Sequence, residues 1–128
     1  MQEISIYSSY YARAKSLACE GILYVQVSNT APDWFPYELL NVSDMVAPTW
    51  LLITQYRNGD ISFDKFSEQY KQSLNLRISK EEFVNKLYVE AEERNCNTIV
   101  LLCWEKEDDK CHRSALGEWL ENNFKYEL

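Results

Sequence analysis

Hydrophobic and polar residues alternate with different periods along this chain, and each change of period marks a boundary between elements. Thr98–Cys103 is a short apolar run rich in β-forming residues, which predicts a strand. Arg113–Phe124 instead carries apolar residues at helical spacing: Leu116, Trp119, Leu120 and Phe124. A strand-to-helix turn is therefore predicted between the two segments.

The beginning of the chain predicts a strand, a helix and a second strand. Glu3–Tyr7 alternates apolar and polar residues, the polar segment Ser8–Tyr10 predicts a turn, and a short helix is expected to end near Gly21. Ile22–Val27 is an almost continuous apolar run, typical of a strand that is covered on both faces. Together these segments predict a β-α-β opening.

The middle of the chain predicts a long loop followed by a helix. Ser28–Ala47 has no periodicity over about twenty residues, which is longer than an ordinary connection, and long ordered loops are usually functional. Pro48 suits the first turn of the next helix, and Asn58-Gly59 predicts where that helix ends.

Two amphipathic helices are predicted before the last strand. Ser62 or Asp60 can cap the first, and Ser79–Glu82 has the pattern of a capping box that opens the second. The complete predicted order is β-α-β-loop-α-α-α-β-α. Because strands alternate with helices, we expect one α/β domain over residues 1–128, with a small, mainly parallel sheet flanked by helices and right-handed crossovers.

Charge and composition narrow the classes of partner. Thirteen Lys and Arg against twenty Asp and Glu give a net charge of −7, which disfavours binding to extended nucleic acid. The N-terminus has no basic leader, and no run approaches roughly eighteen apolar residues, so we expect a cytoplasmic protein without a membrane partner. A homo-oligomer is left open. The cysteines are too few and too irregularly spaced for a disulfide framework, which favours free thiols: Cys19, Cys96, Cys103 and Cys111.

Parallel strands present their carboxyl ends at one edge of a sheet, and ligands bind in the crevice beyond that edge. We therefore expect a site for a small molecule where three segments meet. Its predicted ligand-binding residues are Ser8, Ser9, Tyr10, Ser28, Trp34 and Arg113. The serines can donate hydrogen bonds to a phosphate or sugar, or simply form turns. Trp34, with its tyrosine neighbours, can stack on a nucleobase or ribose, although most aromatic residues are expected in the core.

Arg113 and His112 form the strongest candidate for anion binding. A guanidinium can hold a phosphate or carboxylate through two hydrogen bonds, and the N–H groups of the predicted helix start can complete the pocket. The alternative is structural, because Glu105 can pair with Arg113 or His112 and hold the turn together. Both interpretations can apply at once.

The candidate catalytic residues are Cys103, Glu105, Cys111 and His112. A thiolate could be favoured by the helix dipole and neighbouring cations, whereas Glu105 or His112 could act as general acid or base. The structural alternative is that the cysteines are packed in the core and His112 is a helix-start residue that only forms hydrogen bonds. Arg113 is too far from Cys103, and too close to Cys111, for a cysteine-phosphatase loop.

The same four residues include suitable metal ligands, but their spacing matches none of the paired Cys-x-x-Cys arrangements. We therefore predict no metal, and no cofactor.

Several motifs resemble the domain of unknown function 488 family over almost the whole chain. The most specific pair is Leu101-Leu-Cys-Trp-Glu105 followed by Cys111-His-Arg113. Other segments agree in order: Tyr7–Tyr11, Val27–Ser28, Pro32–Phe35, Ala47–Thr49, Tyr56–Gly59, Tyr70 and Leu116–Leu120. The resemblance implies a compact, Rossmann-like α/β domain and supplies no agreed activity. Ser8 stands where the family commonly has threonine, and Thr49 where serine is common.

The sequence thus predicts a crevice that binds a small, anionic, nucleotide-derived molecule. Three versions remain open at this point. The site could catalyse hydrolysis or group transfer, such as cleavage of a glycosidic bond. It could capture or sequester a nucleotide signal without turnover. The Cys-His-Arg turn could instead be purely structural, in an interaction domain.

Overall fold

The fold is described by a computed structural model for residues 4–16, 20–104, 116, 119 and 120. Within these residues a single four-stranded sheet contains β1 Ser5–Tyr10, β2 Ile22–Gln26, β3 Leu39–Asn41 and β4 Thr98–Cys103. The strand order is β1-β4-β2-β3, and every neighbouring pair is parallel. The prediction of a small α/β domain with a parallel sheet is confirmed.

Five helices are described: α1 Tyr11–Ala14, α2 Ser43–Val46, α3 Trp50–Arg57, α4 Phe63–Arg77 and α5 Lys80–Glu93. The three long ones begin at side-chain caps. Thr49 Oγ1 accepts a hydrogen bond from the backbone N–H of Leu52, and Ser62 and Ser79 cap α4 and α5 in the same way. Local hydrogen bonding of this kind explains why the starts of α4 and α5 could be predicted from sequence.

The predicted capping box is present in part, because Ser79 caps α5 and Glu82 bonds to the Ser79 hydroxyl, and Gly59 ends α3 as predicted. Ser79 Oγ accepts from the Glu82 N–H and donates to Glu82 Oε1, both at 3.1 Å. Gly59 follows α3 with φ +79°, a conformation that glycine adopts without the strain of a Cβ. Both features are set by residues within a few positions of each other in sequence.

The sheet separates the core into two layers, because alternate residues of a strand face opposite sides. Ile99 and Leu101 face the larger layer, which also contains the buried faces of α2 to α5 and is called the Ile99 layer below. Val100 and Leu102 face the smaller layer, called the Val100 layer, whose other buried members are Tyr11, Ala14, Tyr24 and Phe35.

The turn predicted at Ser8–Tyr10 is wrong, because these residues form the second half of β1. Their partners in β4 are Leu101, Leu102 and Cys103. Polar side chains at Ser8 and Ser9 suggested a turn, but both residues are buried in the sheet. Pairing with a strand about ninety residues further along the chain therefore overrides the local turn preference.

The unbroken loop predicted over Ser28–Ala47 is also wrong, because it contains β3 and α2. Leu39–Asn41 is too short for strand alternation to be read from sequence, and it is a strand because it pairs with β2. Pro48 lies before the Thr49 cap rather than in the first turn of α3. The helix predicted over Arg113–Phe124 lies outside the described residues, except for Leu116, Trp119 and Leu120, which are buried.

The described helices include none long and apolar enough to cross a membrane. The described cysteines Cys96 and Cys103 are thiols, as expected, and both are buried, whereas Cys19 and Cys111 lie outside the described residues.

Candidate functional site

Neighbouring strands β1 and β4 are followed by segments that pack on opposite faces of the sheet. Tyr11 and Ala14 of α1 belong to the Val100 layer. The described residues beyond Trp104 belong to the Ile99 layer: Leu116, Trp119 and Leu120. In parallel α/β sheets, a divergence of this kind opens a crevice beyond the carboxyl ends of the two strands, where ligands bind. The candidate site is placed at this edge.

A chain of hydrogen bonds crosses the edge between segments far apart in sequence. Ser28 Oγ donates to the Thr30 carbonyl at 2.6 Å, so the Tyr11 hydroxyl, 2.8 Å from Ser28 Oγ, is the donor in that second bond. The Trp104 indole N–H donates to the same Thr30 carbonyl at 3.0 Å. The residues that follow β1, β2 and β4 are thus tied together through Thr30.

Ring contacts reinforce this connection. The Tyr11 ring meets the rings of Phe35 and Trp104 edge to face, each with 5.6 Å between centroids. Burial raises the pKa of the Tyr11 phenol to about 12, the Ser28 hydrogen bond partly offsets this rise, and Cys103 adds slightly to it. Tyr11 is therefore neutral at physiological pH and serves as a hydrogen-bond donor.

The loop after β2 is held by two amides. The Gln26 side chain donates to the Ser28 carbonyl at 3.0 Å, and the Asn29 side chain donates to the Pro48 carbonyl at 2.8 Å. The second bond joins this loop to the segment that precedes α3. Both bonds restrict the backbone near Ser28 and Thr30, which form the hydrogen bonds to Tyr11 and Trp104.

Trp34, a predicted ligand-binding residue, lies on the loop after β2 and is 49% exposed. The Lys15 ammonium lies over its ring, 5.0 Å from the centroid. This cation–π contact joins the loop to the end of α1. A ligand that stacked on this ring would have to use the face away from Lys15.

The three predicted residues at the end of β1 take different positions. Ser8 and Leu101 are paired in register and share the Ile99 face, whereas Ser9 and Leu102 share the Val100 face. Tyr10, half-buried, ends the strand beside Cys103. The hydroxyl of Ser9 is fully buried and has no hydrogen-bond partner among the described residues. A buried donor of this kind is uncommon in proteins and calls for an explanation.

Of the four predicted catalytic residues, only Cys103 lies within the part of the chain that the structure describes. Cys103 ends the central strand β4 and is fully buried. Glu105, Cys111, His112 and Arg113 lie outside the described residues. Among the residues that are described, no group of three or more His, Cys, Asp and Glu side chains could hold a metal ion.

The sequence pattern predicted no site role for Thr30 or Trp104, and it gave Tyr11 only as an aromatic residue near the predicted crevice. Trp104 was part of the motif after the last strand, but the cysteines and charged residues around it carried the more familiar chemistry. No local signal identifies Thr30, because its role depends on a backbone carbonyl that meets residues from two other segments.

Comparison with known proteins gives one family match. A family model described as "Active DUF488-N3 subclade" matches residues 9–124. This match spans the site edge and confirms the resemblance inferred from the Cys103–Arg113 motif. No curated protein and no solved structure matches the chain.

Proposed function

Because the chain belongs to the domain of unknown function 488 family, within its Active DUF488-N3 subclade, we propose that it binds a small, anionic, nucleotide-derived molecule at the carboxyl edge of its sheet. The family description names no ligand and no reaction. The proposal therefore depends on the architecture of the edge and on the chemistry of the residues assigned to it.

The observation that carries the proposal is the divergence after β1 and β4. Tyr11 and Ala14, after β1, pack on one face of the sheet, whereas the described residues beyond Trp104 pack on the other. This is the arrangement that opens a ligand crevice in parallel sheets. Because β4 lies between β1 and β2, segments from three strand ends border this crevice.

We assign the anion to Arg113, which follows the last strand in sequence and lies at the start of the last predicted helix. A guanidinium matches the geometry of a phosphate through two parallel hydrogen bonds. Local attraction of this kind is compatible with a net charge of −7, because interactions within a crevice are screened less than those between distant surface charges. Ser9 was also predicted to bind the ligand, but its hydroxyl is fully buried in the sheet and is assigned no contact with the anion.

The burial of Cys103 favours capture of the ligand over attack on it by this thiol. A nucleophile must reach its substrate, and the Cys103 side chain has no exposed surface. Glu105 and His112 are the residues that would supply acid or base chemistry in a hydrolase or transferase.

Calorimetric titration with inorganic phosphate and with AMP tests the proposal. We expect Arg113→Ala to abolish phosphate binding and Arg113→Lys to restore it only in part, because an ammonium cannot form the two-pronged contact. Arg94→Ala is the matched control, since Arg94 pairs with Glu90 at the end of α5, close to the start of β4 and the opposite edge of the sheet. Unchanged phosphate affinity in Arg113→Ala would refute the anion assignment.

Chromatography of AMP incubated with the protein separates capture from turnover. Recovery of intact AMP supports capture, whereas released adenine or phosphate assigns a hydrolytic reaction to the same site. Loss of that product in Glu105→Gln or His112→Asn would then identify the acid or base.

A further inference from the structure

Trp104 is an exposed aromatic residue that is nevertheless held in one orientation. Its side chain is 45% exposed although it directly follows the central strand. The indole N–H donates to the Thr30 carbonyl at 3.0 Å and lies 3.2 Å from Thr30 Oγ1. The ring also meets the buried Tyr11 ring at 66°. Polar and aromatic contacts thus orient the ring while leaving part of it open.

Trp50 is an exposed tryptophan that lacks these contacts in the described part of the chain. It is 57% exposed on α3, but within the described residues its ring makes no ring contact and its indole donates no hydrogen bond. An exposed tryptophan without such contacts rotates among conformations, and binding has to restrict it. A ring that is already oriented loses little conformational entropy when a ligand stacks on it.

The position of Trp104 connects this ring to the proposed ligand. Because β4 lies between β1 and β2, the residue after β4 stands at the centre of the crevice edge. This is the same edge of the sheet to which the proposed function assigns the anionic ligand.

We infer that Trp104 is the stacking surface for the nucleobase of the bound molecule, an inference that builds on the proposed function. Stacking on an aromatic side chain tolerates any base, because each base presents a π-face. A purine offers a larger face than a pyrimidine. The site should therefore bind AMP more tightly than UMP, and UMP more tightly than ribose 5-phosphate, which has no ring of this kind.

Trp34 is a weaker candidate for the same role. It is comparably exposed, but the Lys15 ammonium lies over one face of its ring. Trp104 has no such cation among its described contacts, and its indole is hydrogen-bonded to Thr30 at the edge of the sheet.

Calorimetric titration with AMP, UMP, ribose 5-phosphate and adenosine tests this inference on the full chain. We expect Trp104→Leu to weaken AMP binding by about 5- to 150-fold, the range corresponding to loss of one stacked base, and to leave ribose 5-phosphate unaffected. Trp104→Phe keeps an aromatic ring but loses the bonds to Thr30, so its AMP affinity should be intermediate. Trp50→Leu is the matched control and should bind all four probes like the natural protein.

Circular dichroism establishes whether each variant is folded, and Trp104→Phe provides the test if Trp104→Leu does not fold. AMP affinity no higher than that of ribose 5-phosphate, or equal losses for both in the Trp104 variants, would overturn the stacking assignment while leaving the anion site in place. Adenosine binding that depends on Trp104, without binding of phosphate or ribose 5-phosphate, supports the stacking surface and overturns the anion site. Failure of all four probes to bind overturns both.

Discussion

The Tyr11 hydroxyl donates to Ser28 Oγ over 2.8 Å, and this bond joins the residue after β1 to the loop after β2 across the end of β4. Ser28 in turn donates a hydrogen bond to the Thr30 carbonyl, which also accepts one from the Trp104 indole. Both hydroxyls are therefore committed to holding the edge together. Ser28 was predicted to bind ligand, and its engagement here gives it a structural role as well.

Replacing Ser28 with alanine should destabilise the protein by about 1–3 kcal/mol, because the buried Tyr11 hydroxyl would lose its acceptor. Denaturant unfolding followed by circular dichroism measures this change. Ser16→Ala is a suitable control, since the exposed Ser16 hydroxyl bonds only locally, to Arg13, and its loss should cost less than about 0.5 kcal/mol.

The double variant Tyr11→Phe with Ser28→Ala should be more stable than the sum of the two single changes predicts. Ser28→Ala alone leaves the buried Tyr11 hydroxyl without its acceptor, whereas the double variant removes that hydroxyl as well. In Tyr11→Phe alone, Ser28 still donates to Thr30. A coupling energy of about 1 kcal/mol is expected from the three unfolding curves. Strict additivity would show that the bond contributes nothing to stability.

Ser9→Ala should leave the free energy of unfolding unchanged or raise it. The Ser9 hydroxyl is buried without a partner in the described residues, so a methyl group removes a desolvated polar atom. The same variant should bind AMP like the natural protein, because this hydroxyl has no exposed surface with which to reach a ligand. A destabilised variant would instead show that Ser9 has a structural partner.

Stability should fall above pH 10 because of Tyr11. Its pKa is raised from 10.0 to about 12, so between these values the unfolded chain loses this proton while the folded chain keeps it. The contribution is complete below pH 10 and declines by about 1.4 kcal/mol per pH unit as the pH rises toward 12. Tyr11→Phe should show a shallower decline in unfolding experiments over this interval. Identical slopes would contradict the assignment to Tyr11.

Arg77→Lys should lower the free energy of unfolding by about 1 kcal/mol or more. The guanidinium donates to the carbonyls of Ala47, Asp44 and Ser43, at 2.5, 2.6 and 3.3 Å. The two nitrogens at the end of the Arg77 side chain thus bond to three carbonyls at and beside α2. The single ammonium of lysine cannot reach all three at once. Arg13→Lys, on the exposed face of α1, is the control expected to have no measurable effect in chemical denaturation.

The elements that the sequence predicts well are those whose signals are local. β4 has the predicted bounds Thr98–Cys103, and Ser62, Ser79 and Gly59 mark helix ends as expected. Caps, glycine turns and apolar periodicity involve residues within a few positions of each other, so the side chains alone indicate the structure. The parallel direction of the strands follows from their alternation with helices.

Contacts between distant segments had to come from the tertiary structure. The strand Leu39–Asn41 exists because β2 lies beside it, and Ser8 and Ser9 are extended because β4 pairs with them. The connection from Tyr11 through Ser28 to Thr30 and Trp104 likewise depends on strand order.

For the site, the sequence by itself determined the chemistry available near the end of β4 and the edge at which to look for it. The tertiary structure decided on which face of the sheet the described residues after β1 and β4 pack. It also decided which side chains at the edge are already hydrogen-bonded to other residues. The physical reason is that hydrogen bonds and ring contacts act over a few ångströms in space, whatever the separation in sequence. Only the folded chain brings Trp104 to Thr30 and leaves the hydroxyl of Ser9 without a described partner.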